Sequence, residues 1–150
     1  MQELLRSVAE ADKDRYLSLL FCPAPQQNQL AALYAFDIEL AKIKRLVTEP
    51  QLGQIRLQWW RESLANVYAG SAGGPALLAA LAELRQRVPL SVFEAMLDAA
   101  EAALLDERPA SLFELETWLG KSSSLVMQAA MLILGGSAPD VCGLAGVAYG

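Results

Sequence analysis

Residues 33 to 46 read LYAFDIELAKIKRL, in which Leu33, Phe36, Leu40 and Ile43 recur at steps of three and four, continued by Val47. That spacing draws one apolar stripe along a helix of 3.6 residues per turn. The charges between them are ordered: Asp37 and Glu39 come first, and Lys42, Lys44 and Arg45 follow. Acids ahead of cations complement the helix macrodipole, and Glu39 with Lys42 makes an i,i+3 pair. A well-formed surface helix explains the order; so does a helix that receives an anion at its cationic end. The residues alone leave both open. As a metal site the stretch is poor, because Ala41 stands one turn after Asp37, where a second carboxylate would be needed to grip Mg2+.

The same periodicity extends in both directions. It predicts helices near 2–10, 12–21, 27–47, 50–69, 75–87, 91–106, 111–134 and 139–150, and no period-two segment competes with them. Alanine, leucine and glutamate dominate the composition, which favours helix over strand. TEPQ (48–51), SVFE (91–94), SLFE (111–114) and SAPD (137–140) each set a hydroxyl three residues before an acid or amide. That is the capping-box pattern of a helix start. GSAGG at 70–74 is the clearest flexible connection. One all-α domain over 1–150 is expected. Its last residues, DVCGLAGVAYG, are still amphipathic, so the domain is expected to continue beyond Gly150.

Composition excludes several function classes. With 54 % apolar and 19 % charged residues the chain can bury a core. The net charge of −5 argues against general nucleic-acid binding, which needs a basic footprint. The charge is uneven. Residues 42–61 carry Lys42, Lys44, Arg45, Arg56 and Arg61 against Glu49, whereas ten acids face four bases from Glu62 onward. A basic window in an acidic chain suits an anionic ligand or an anionic membrane surface. Histidine is absent, which removes Ser-His and Cys-His catalysis and His-ligated metals. Cys22 and Cys142 lie far apart with no metal spacing, and read as buried, reduced thiols. The N-terminus lacks an apolar signal core, and LVMQAAMLILGG is too short to cross a bilayer. A soluble or at most peripheral chain in a reducing compartment is expected.

Three further stretches carry candidate chemistry. In IRLQWWRESL (55–64), Trp59 and Trp60 point about 100° apart on a helix. Either both indoles pack between helices, or Arg56 and Arg61 form an anion site beside an aromatic wall. Glu94, Asp98 and Glu101 share one helical face, which reads as a solvated acidic face more readily than as a cation site. GKSSSLVM (120–127) lacks the full phosphate-loop pattern and reads as a small-residue helix contact.

Residues 14–70 resemble the N-terminal part of the squalene/phytoene synthase family, through Arg15 and Tyr16, LYAF at 33–36 and the Trp helix ending in YAG. The segment from LDAAEAALLDERPAS to MLILGG resembles the family's next section. The resemblance implies roughly the N-terminal half of an isoprenoid-synthase-like helical bundle. In catalytic members, Asp-rich helices hold Mg2+ while two prenyl diphosphates join. The first such motif, DDxxD, implies acids at 41, 42 and 45, where this chain has Ala41, Lys42 and Arg45. FDIELAKIKRLVTEP, GQIRLQWWRE and SSSL are nearer the family's non-catalytic branch, which includes a mitochondrial complex I assembly factor and bacterial relatives.

The resemblance therefore implies a pseudoenzyme without catalytic or metal-binding residues. Its anion- or diphosphate-binding candidates are Lys42, Lys44, Arg45, Arg56 and Arg61. Its cavity-lining aromatic candidates are Tyr34, Phe36 and Trp60. No cofactor is expected, and Mg2+ only if prenyl transfer persists in altered form. The implied partners are a prenyl or lipid-like ligand or a respiratory-complex subunit, with peripheral membrane contact. The implied setting is a bacterial cytoplasm, or the matrix side of a mitochondrion.

Overall fold

A computed structural model describes residues 2–47, 49–71, 73–105, 110–137 and 144–148. Every regular element among them is helical: α1 (Gln2–Ala11), α2 (Lys13–Leu19), α3 (Ala24–Leu46), α4 (Pro50–Tyr68), α5 (Ala76–Ala82), α6 (Leu90–Leu104), α7 (Leu112–Lys121) and α8 (Ser123–Leu134). A further helical stretch covers 144–148. The all-α expectation holds.

The opening stretch forms the axis of the bundle. α3 touches α1, α2, α4, α5, α6 and α8. Over Leu30–Phe36 nearly every side chain is buried, several of them alanines that let neighbouring helices approach from different sides. Beyond Phe36 only Leu40 and Ile43 remain buried, so the C-terminal half shows a polar flank on each side of a narrow apolar seam. One helix is thus central at its start and amphipathic at its end. That change of character puts the charged residues of 37–45 at the edge of the core.

Three helices meet across an aromatic chain. Phe36 of α3 stands edge-to-face with Trp60 of α4 (centroids 5.2 Å) and with Phe93 of α6 (5.5 Å). Tyr68 of α4 continues the chain at 6.0 Å from Phe93, and its hydroxyl donates to the Val88 carbonyl at 2.8 Å. Burial pushes the Tyr68 phenol from its ordinary value near 10 up to about 12. The unfolded chain therefore loses this proton first. The associated stability is fully present below pH 10 and disappears as pH rises toward 12, by about 2 kcal/mol. Urea midpoints measured across that range should fall more steeply for the native protein than for Tyr68→Phe. Equal slopes would contradict the assignment.

The helix ends correct several local expectations. Ser111 caps α7 by accepting from the Glu114 N–H at 3.2 Å, and the Glu114 carboxylate accepts from the Ala110 N–H at 2.7 Å, so SLFE works as read. SVFE does not: α6 begins at Leu90 behind Pro89, with no side-chain cap. α4 starts behind Glu49, also without a side-chain cap, and carries a proline in its first turn, where a missing N–H costs nothing. SAPD falls largely outside the described residues. α3 begins three residues before the expected position 27, again with proline in the first turn. The helix expected over 75–87 is the shorter α5, followed by turns to Val88.

The single helix expected over 111–134 is two helices. Ser122 leaves helical geometry (φ −116°, ψ −87°) and its hydroxyl donates back to the Trp118 carbonyl at 3.0 Å. Such back-bonding, next to Gly120 and further serines of low helix propensity, favours a break there. α8 closes with Gly135 at φ 81°, where Gly136 N–H reaches the Met131 carbonyl, a left-handed glycine stop. The small-residue reading of GKSSSLVM holds. Ser124 is buried, and a Cβ at Gly146 would lie 2.4 Å from Ser124 Cα, so the 144–148 helix rests directly on α8 backbone.

Candidate functional site

The polar flanks of α3 face two separate concavities. On one side Asp37, Ala41, Lys44 and Arg45 edge a cleft of about 280 Å3, whose far walls are Met96 and alanines of α6 and Trp118 of α7. On the other side Glu39, Lys42 and Leu46 face Ile55, Arg56 and Trp59 of α4 across a groove of about 430 Å3 floored by Ile43 and Trp60. The division follows from helix geometry, since Asp37 and Glu39 project about 200° apart.

Each acid of this stretch has its own cation. Asp37 Oδ2 accepts from Arg15 of α2 at 2.6 Å, and the same guanidinium lies 3.4 Å from Asp12 and 5.1 Å from the centroid of the Tyr34 ring. Glu39 pairs with Lys42 at 2.6 Å. The pairing that ties α2 to α3 joins residues 22 positions apart and involves Arg15, which the sequence marked only as a point of family likeness. Spacing within one helix gives no signal for it.

The candidate cations do not form one site. Lys44 and Arg45 border the α3–α6–α7 cleft, and Lys42 and Arg56 border the α3–α4 groove. Arg61 does not join Arg56: it reaches α6, where it meets Asp98 at 2.7 Å and Glu101 at 2.9 Å. Burial lowers the Arg61 pKa, but the hydrogen bonds and charges of Asp98 and Glu101 outweigh it and leave the guanidinium above its ordinary value. The acidic face of α6 is thus a partner for α4 rather than merely a solvated surface. Among the described residues, no ion pair involves Arg45 or Arg56.

The aromatic candidates also separate. Phe36 is fully buried in the aromatic chain and borders neither the cleft nor the groove. Tyr34 borders a pocket with Arg15 and Ser123, whereas Trp60 floors the α3–α4 groove. Trp59, for which packing between helices is one of the two readings of the sequence, is 45 % exposed with its ring edge-to-face against Trp60. Cys22, read as buried, is half-buried, and Cys142 lies outside the described residues.

This donor set does not fit Mg2+. Among the described residues no three carboxylates or other ligating side chains converge. Asp37 and Glu39 diverge and are each held by a cation, and Ala41, Lys42 and Arg45 offer no oxygen. A divalent ion needs several oxygen ligands around one point.

The chain belongs to the squalene/phytoene synthase family, whose model matches residues 8–149. It is 30 % identical over 135 residues to NADH dehydrogenase (ubiquinone) complex I, assembly factor 6, of Rattus norvegicus, covering 89 % of this chain and 40 % of that protein. The Bos taurus and Homo sapiens proteins of the same name match over the same shares, at 30 % and 29 % identity. The chain therefore spans about 40 % of the length of these relatives. No solved structure matches. Among the described residues, no helix is long and apolar enough to cross a membrane.

Proposed function

We propose that this chain is a squalene/phytoene synthase-type bundle that has lost metal-dependent prenyl transfer and serves as a binding component in the assembly of a respiratory complex. One observation carries the reading: Ala41, Lys42 and Arg45 occupy the α3 positions where the family resemblance implies metal-binding acids, and the two carboxylates left on that helix are spent on Arg15 and Lys42. Two cations in place of two ligands repel Mg2+ rather than hold it. The likeness to proteins named complex I assembly factor 6 supports the choice of role and a setting at a respiratory membrane, mitochondrial if the source is eukaryotic.

Deleting the gene in its source organism should lower both assembled NADH:ubiquinone oxidoreductase and its activity, with both restored by the full-length gene. Normal assembly in the deletion strain would overturn the role.

A second reading keeps prenyl transfer, with diphosphate held directly by cations. It draws on one feature: Lys44 and Arg45 edge a mainly apolar cleft, a geometry that suits an anionic head on an apolar tail. Turnover of prenyl diphosphates separates the two.

A further inference from the structure

The α3–α4 groove lies apart from the cleft bordered by Lys44 and Arg45, and the assembly role does not by itself assign it a purpose. Its walls are large exposed apolar side chains: Leu46 is 67 % exposed, Ile55 66 % and Trp59 45 %, with Leu52 extending the stripe at 49 %. Leu52, Ile55 and Trp59 step by three and four along α4 on the face turned away from the buried row of Leu57, Trp60 and Leu64. An apolar helical stripe beside a groove is what a docked partner covers; scattered single residues would need no explanation.

Shape and charge select the occupant. Ile43 and Trp60, both nearly buried, form a floor below the walls, which side chains of an inserted helix reach and a flat bilayer surface does not. From Leu52 to Trp59 the stripe runs two turns, about 10 Å, the span of apolar residues at i, i+4 and i+7 on a partner helix. Cations stand on both walls, Lys42 on α3 and Arg56 on α4, in a chain whose net charge is −5. Lys42 is balanced by Glu39, and Arg56 has no ion pair among the described residues. We infer that the groove between the end of α3 and the start of α4 docks an amphipathic helix of another protein, its apolar face on Leu46, Ile55 and Trp59 and its flanking carboxylates toward Arg56 and Lys42. This deepens the assembly role by giving its partner a chemistry, and it rests on that reading only for the identity of the partner.

A photo-crosslinking phenylalanine analogue in place of Leu52, at the rim, leaves the groove intact and reports its neighbour in the full-length protein in its own cells. The expected adduct is with one protein, through a peptide that reads as a helix with apolar residues at i, i+3 or i+4 and i+7 and flanking Asp or Glu. Trp59→Ala should cut adduct yield at least roughly tenfold, as loss of a buried aromatic anchor does. Arg56→Glu should cut it severalfold, and acid-to-lysine changes in the partner peptide should restore it. Adducts with lipid, with a second copy of this chain or with a segment lacking that pattern would overturn the inference. So would no adduct above that from the same analogue at Lys13 on α2. An adduct of the expected kind without an assembly defect on gene deletion would sink the respiratory role and keep the groove; the reverse would sink the groove alone.

Discussion

Phe36→Ala should lower the free energy of unfolding by about 4 kcal/mol, a large share of the roughly 5–15 kcal/mol that holds a typical domain together. The side chain is fully buried where α3, α4 and α6 converge, with Trp60 and Phe93 edge-on against it. Truncation removes the apolar transfer energy of a phenyl ring and two aromatic contacts, each contributing about 1 kcal/mol beyond burial. It also leaves a cavity that three helices cannot close without shifting their other contacts. Phe36→Leu, which keeps much of the volume, should cost about 1.5 kcal/mol or less. Phe21→Ala is the control: that ring is 89 % exposed, and its loss should change stability by no more than about 0.5 kcal/mol. Urea unfolding of the three variants checks the series. A loss under about 1 kcal/mol for Phe36→Ala would mean that the aromatic chain is not what joins these helices.

Much of this fold is legible because its helices bury stripes that repeat along the chain. Leu33, Phe36, Leu40 and Ile43 are buried as their spacing requires, and SLFE caps α7 as its residues require. Both are local patterns, in which the partner lies within a turn or two. The misses have a different origin. A continuous apolar period over 111–134 hides the break at Ser122, because periodicity records which residues are buried and not whether the axis bends. SVFE fails as a cap because Pro89 fixes φ and starts α6 at Leu90, ahead of the serine.

The candidate site was less legible. Charge order along α3 foretold the Glu39–Lys42 pair, yet Asp37 belongs to Arg15, on another helix. Arg61 belongs to Asp98 and Glu101 across the α4–α6 contact, so a cation that reads as a ligand for an anion is a structural one. Ion pairs between helices depend on packing, and one sequence gives no period by which to find them. Positions two apart, such as Tyr34 and Phe36, reach different surroundings for the same reason that Asp37 and Glu39 do. A family resemblance assigns residues to a site; it does not say which way each one faces when its neighbours have changed.

On the reading proposed above, Ala41, Lys42 and Arg45 leave α3 without the acids that would hold metal ions for prenyl transfer. A diphosphate leaves with several negative charges, and metal ions supply several kcal/mol of the stabilisation that its departure needs. Without that contribution, turnover falls at least roughly a thousandfold, since each 1.4 kcal/mol is a factor of ten. Lys44 and Arg45 at the cleft can attract the anion, but attraction that is equal for substrate and transition state tightens binding without speeding the reaction. The decisive measurement follows radiolabelled C15 and C20 prenyl diphosphates with Mg2+ and the full-length protein, beside an active family member at equal concentration. The proposed loss of prenyl transfer predicts no squalene- or phytoene-type product above the protein-free control. Mg2+-dependent product within about tenfold of the active enzyme, a barrier difference of about 1.4 kcal/mol, would contradict it and establish prenyl transfer on a helix of inverted charge.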